Sequence, residues 1–189
     1  MSGSVRVGVT GHRLLAEVNR LAAGVAEGLN AVAAAFPGKS LEILSALAEG
    51  ADRLVVLEAL ARGCIRLVVP LPLPVTDYLL DFETPESQVE FRRLLNRADE
   101  VVELPPSPTR DEAYRAAGLY VLEHCDVLLA VWDGRAAQGR GGTEAVVAEA
   151  RRRALPLVWV HAGNRRPGTR EPTTLGAEQG VVIVERLGS

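Results

Sequence analysis

Apolar positions along the chain alternate between two periods. Short, β-branched runs at Val5–Val9, Leu41–Leu47, Ile65–Leu71, Glu100–Leu104, Val127–Trp132 and Leu157–His161 predict strands. Longer Ala- and Leu-rich stretches between them predict helices. These are one reaching Phe36, and others at Ala51–Ala61, Thr84 to about Asn96, Thr109 to about His124, and Thr143–Ala154. Local chemistry marks the boundaries: Pro37-Gly38-Lys39 breaks the first helix, Gly63 stops the second, and Pro70, Pro72 and Pro74 end the third strand. Thr84-Pro85-Glu86 supplies an N-cap, a first-turn proline and an acid. Thr109 and Glu112 have capping-box spacing. After a polar stretch from Gly163 to Gly180, expected to be a mobile flap or a tether, a last strand is predicted at Val181–Glu185. Strands alternating with long helices require right-handed crossovers. The expectation is therefore an α/β, Rossmann-like, doubly wound and mostly parallel sheet of six to seven strands, with helices on both faces.

The length, 189 residues, suits one domain. Residues 1–162 are expected to carry the ligand-binding layers, and 163–189 to be the polar loop and final strand of the same domain. A hydrophobic fraction of 48% with net charge −3 excludes intrinsic disorder, and it offers no global positive field to nucleic acid or an anionic membrane. Only 4% of residues are aromatic, so the core falls to Val, Leu, Ile and Ala. The longest apolar run, Leu67–Val75, is too short and proline-rich to span a membrane, and Arg6 and Arg13 interrupt any signal-peptide pattern. A cytoplasmic protein is expected. Cys64 and Cys125 lack partners at metal or disulfide spacing and read as small buried hydrophobes. No metal or cofactor is expected.

Ligands of doubly wound sheets bind beyond the carboxyl ends of the strands, where strand order reverses. After the first strand, Thr10 offers a hydroxyl, Gly11 a tight turn and Arg13 a fork for phosphate. His12 reads as a solvated or capping imidazole rather than an acid or base. After the second strand, Ser45-Ala46-Leu47-Ala48-Glu49-Gly50-Ala51-Asp52 has two readings. Gly50 lets helix-start amides approach an anion, or it serves tight packing, with Asp52 as a favourable first-turn charge. After the fifth strand, Trp132-Asp133-Gly134 leads to Arg140-Gly141-Gly142-Thr143-Glu144, where a glycine pair entering a helix exposes unpaired N–H groups. The acids Asp77 and Asp81 read as a solvated loop pair. No Ser-His-Asp or Cys-His spacing is present.

The Ser45–Asp52 segment resembles the Ser-Gly-x-Ala-x-Gly-x-Asp loop of the DNA-processing protein A/Smf family, with Ala46 in place of a glycine. Gly141-Gly142-Thr143 resembles the phosphate-binding helix start of the Lonely Guy family. Together, over Val5 to His161, the chain resembles the SLOG superfamily. The resemblance implies binding or sensing of a phosphorylated nucleotide or an NAD-derived small molecule. Contacts would come from Thr10, Gly11, Arg13, Ser45, Glu49, Gly50, Asp133, Gly141, Gly142 and Thr143. It also implies a homodimer and an effector domain or protein as partner. The helix from Asp111 to His124, apolar on more than one face, fits self-association. One alternative is a phosphoribohydrolase cleaving nucleoside 5'-monophosphates through Glu144 or Glu49. Another is a carrier of a phosphate-bearing cofactor such as molybdenum cofactor. Val146 stands where Lonely Guy enzymes carry their catalytic glutamate, which favours the binding module.

Overall fold

A computed structural model describes residues 3–64, 66–135 and 142–188. In chain order the elements are β1 (Ser4–Gly11), α1 (Val18–Ala35), β2 (Ser40–Leu44), α2 (Ala51–Ala61), β3 (Arg66–Leu71) and the single turn α3 (Val75–Tyr78). A 3₁₀ turn at Leu79–Asp81 leads to α4 (Pro85–Leu95), β4 (Glu100–Glu103), α5 (Arg110–His124), β5 (Val127–Trp132), α6 (Thr143–Arg152), β6 (Leu157–His161) and β7 (Val182–Glu185). The strands form one sheet in the order β4-β3-β2-β1-β5-β6-β7. All neighbours are parallel except β6 and β7, which are antiparallel. The fold is α/β and Rossmann-like, as the alternation of periods predicts.

Period-two alternation sorts each strand's side chains between two cores. Val5, Val7, Val9, Ile43, Leu129 and Val158 face one side, where they meet Leu21, Val25 and Leu29 of α1, Val55 of α2 and Phe91 of α4. Leu128, Ala130, Trp132 and Leu157 face the other, against Val121 and Leu122 of α5 and Val147 and Ala150 of α6. All six residues of β5 are buried, the pattern of a central parallel strand covered on both faces. Both predicted helix caps form. Thr84 accepts from the Ser87 N–H at 3.1 Å, and Thr109 and Glu112 make a reciprocal capping box.

Several local expectations change. The first helix starts only at Val18, because Glu17 turns the chain at φ 50°. The second strand ends at Leu44, because buried Leu47 adopts φ 58° and takes the chain out of the sheet. The segment after β3 is no open loop. Tyr78, Leu79 and Phe82 are buried, with the Tyr78 ring 4.9 Å from Phe82 and 5.5 Å from Phe91. The 163–180 stretch is anchored at its base rather than tethered outward. Gln179, 2% exposed, accepts from the Gly163 and Leu175 amides at 2.9 and 3.1 Å and donates to the Ala16 carbonyl at 2.9 Å.

The apolar character of α5 finds its cover within the chain. Ala113, Ala117 and Val121 are buried, α5 contacts β1, β3 and α6, and a Cβ on Gly118 would lie 2.9 Å from a Val146 methyl of α6. A partner helix from a second copy is thus not needed to explain it. Cys125 is buried, Cys64 is half-buried, and both are free thiols. Among the described residues, no helix is long and apolar enough to cross a membrane.

Candidate functional site

Strand order reverses between β1 and β5, so their carboxyl ends open the crevice where this architecture holds ligands. Gly11 pairs with Val131 there. It is not a tight turn, since its φ is not positive. It is glycine because a Cβ would lie 2.4 Å from the Ala51 Cβ and 2.5 Å from the Val131 carbonyl oxygen. The ladder continues one residue further, where the His12 N–H donates to the Val131 carbonyl at 3.0 Å.

His12 and Asp133 meet just beyond the carboxyl ends of β1 and β5. The Asp133 amide donates to His12 Nε2 at 3.1 Å, and Asp133 Oδ1 lies 3.2 Å from the same nitrogen. Their side chains are only 10% and 9% exposed. Nε2 thus faces a donor and an acceptor of the same residue: it accepts from the Asp133 amide when the ring proton is on Nδ1 and donates to the Asp133 carboxylate when it is on Nε2. Burial lowers the His12 pKa below its ordinary value, with the Asp133 carboxylate pulling the other way. Asp133 Oδ1 also accepts from the Arg135 amide at 3.1 Å, which shapes the turn after β5. Sequence reading missed this pairing because 121 positions separate the two residues.

Arg13 lies at the mouth, its guanidinium 5.2 Å above the Tyr114 ring of α5. Tyr114 in turn donates to Asp81, whose other oxygen accepts from Arg110 at 2.8 Å. The Asp81 carboxylate is therefore bound into the fold, whereas Asp77 is exposed and only its backbone carbonyl accepts from Arg110. Arg13 also hydrogen-bonds Tyr114 and feels the charges of Asp81 and Asp52, but among the described residues no direct ion pair joins Arg13, Arg135 or Arg165 to a carboxylate. All three arginines stand in loops that leave the carboxyl ends of strands.

The loop after β2 supports the crevice from beneath. Ser45 is fully buried, and its hydroxyl donates to Asp52 Oδ2 at 2.9 Å and accepts from the Leu47 amide at 3.1 Å. Gly50 has φ +77°, and a Cβ there would lie 2.2 Å from the Arg13 carbonyl oxygen. The Ala51 amide beside it donates to the His12 carbonyl at 3.0 Å. Glu49 accepts from Ser87 of α4. Ser45 and Glu49 are engaged within the α2 and α4 side of the fold, and Gly50 packs directly under the β1 loop. Asp52 is buried, which pushes its carboxyl up to about 6, while hydrogen bonds from Ser45 and Ala48 and the charges of Arg13 and Arg53 pull it back.

On the opposite wall α6 begins, lying against β5 and reaching β1. Gly142 is its N-cap in extended conformation, φ −127°, and is exposed; Thr143 is half-buried. Of the ten expected contact residues, Thr10 and Gly11 end β1, Arg13 and Asp133 stand in the loops after β1 and β5, and Gly142 and Thr143 start α6, all around the carboxyl ends of β1 and β5. Gly141 and Arg140 lie outside the described residues. No protein-family model matches the chain, and no curated protein matches it. Fold and site together define a Rossmann-like α/β protein whose crevice lies at the β1–β5 switch point.

Proposed function

We propose that this protein is a SLOG-type binding module that recognises a phosphorylated nucleotide-like or NAD-derived small molecule at the carboxyl ends of β1 and β5. The observation that carries the reading is Arg13. It lies at the switch point and is seated on Tyr114, with the Asp81 and Asp52 carboxylates acting on its charge from a distance rather than in a direct ion pair. A guanidinium held in place by an aromatic face loses little freedom when it grips a phosphate. Thr10 and the first amides of α6 add donors beside a positive helix end. Asp133 supplies an acceptor suited to a ribose hydroxyl.

Binding is favoured over base cleavage by Val146. Its methyl group packs toward Gly118 of α5, so an aliphatic contact fills the position where the Lonely Guy pattern has its glutamate. The test is a thermal-shift panel of AMP, ADP and NAD, paired with an assay for free adenine. At a hundredfold excess over Kd, a true ligand raises stability by about 2.7 kcal/mol. No adenine release is expected. Turnover of AMP on the order of 1 per second would replace the binding reading with the hydrolase one.

A further inference from the structure

In the sheet, β6 and β3 are separated by β5, β1 and β2, a distance of about 19 Å at the usual strand spacing. Yet Arg170, in the segment leaving β6, forms an ion pair with Glu83, which stands between the 3₁₀ turn after α3 and the start of α4. Both residues belong to the carboxyl-terminal edge, since β6 and β3 run parallel and α4 returns from that edge toward β4. Their contact is therefore made across the ends of β5, β1 and β2. That is the edge on which the candidate site opens.

The segment that reaches so far is a hairpin. Arg165 and Pro172 form an antiparallel bridge, the Arg166 amide donates to the Glu171 carbonyl at 2.8 Å, and the Thr173 amide donates to the Asn164 carbonyl at 2.5 Å. Gly168, at φ +72°, turns the tip. The base is fixed by Gln179, and Thr174 adds a 2.8 Å hydrogen bond to Glu17. The tip has no such anchor. Residues 165–168 and 170–172 are exposed, none of them a large apolar side chain, and the Arg170–Glu83 pair joins side chains 62% and 44% exposed. Ion pairs this exposed hold weakly in water and open readily. The hairpin carries Arg165, Arg166 and Arg170 against the single acid Glu171.

We propose that residues 164–173 form a basic strap over the mouth of the site, which releases Glu83 to admit an anionic ligand and closes over it again. This rests on the function proposed above for the site's contents, but the strap itself can be judged without any ligand. The test is limited trypsin digestion of the full chain, with cleavage after Arg165 and Arg170 followed by mass. In Glu83→Gln, cleavage is expected to rise about threefold with melting unchanged, as loss of an exposed latch predicts. Arg170→Gln, read at the Arg165 bond, should behave alike. ADP is expected to slow cleavage in the wild type. Wild-type cleavage rates in both variants would overturn the strap, as would ADP binding seen by calorimetry with no protection of these bonds. If ADP binds to no form of the protein, the nucleotide reading fails, while the comparison of variants still decides the strap.

Discussion

Asp52, in the first turn of α2, and His12, in the β1 loop packed on it, titrate in opposite senses. Asp52 is held up to about 6, against 3.8 for a free carboxyl, so the folded state keeps a proton that the unfolded state has lost between about pH 4 and 6. Its contribution to stability is therefore present below the unfolded value and is lost as pH rises through the folded one. A shift of two units corresponds to about 3 kcal/mol. The difference in unfolding free energy between wild type and Asp52→Asn should vary by roughly that amount from pH 4 to 7, with the wild type gaining relative stability on acidification. A constant difference across that range, measured by urea titration, would mean that the carboxyl is not buried as described. His12 works against it. Its lowered pKa makes the fold lose stability as pH falls through the ordinary histidine range near 6.5. The two effects partly cancel in the wild type, so only the variants separate them.

At the scale of elements, function depends on how loops are held by the helices beside them. Gly142 heads α6 with φ −127°, a conformation open to any residue, and it is exposed. Gly142→Val should therefore cost only the loss of a favourable N-cap residue, about 1 kcal/mol, and leave the domain folded. It should also abolish the ligand-induced shift, because a branched side chain at the helix start fills the place of the anion. A folded variant with an undiminished ligand response would put the site elsewhere. Gln179 works through other groups, since one side chain satisfies the Gly163 and Leu175 amides and the Ala16 carbonyl. Its loss leaves these groups unpaired, the Gly163 amide in a buried place and the other two in partly buried ones. Gln179→Ala is expected to cost about 2–3 kcal/mol and to speed hydrogen exchange at Gly163 and Leu175 above that of the β6 core. Exchange unchanged at those two amides would show that they are held by something else.

At the scale of the whole molecule, the alternation of strand and helix periods was enough to predict an α/β doubly wound sheet. Helix caps at Thr84 and Thr109 and the buried run of β5 were equally legible, because capping and amphipathicity act within a few residues of chain. The short α3 turn was not, since its reason is the packing of Tyr78 and Phe82 on Phe91 of α4, a contact set by the fold. The candidate site divides in the same way. Thr10, Arg13, Asp133 and Gly142 could be picked from the loops that end strands. Their assembly depends on β5 lying beside β1, and a local pattern carries no strand order. Ser45 and Gly50 show the converse. Their small size was visible, but which backbone approaches them was decided by the β1 loop coming within 2.2 Å of where a Cβ on Gly50 would be. The sequence by itself determined which segments are strands and helices and which faces they bury, because those follow from short-range periodicity. Only the tertiary structure decided that His12 meets Asp133, that Gln179 anchors the 163–180 segment and that Arg170 reaches Glu83, because those contacts join segments brought together by the order of strands in the sheet.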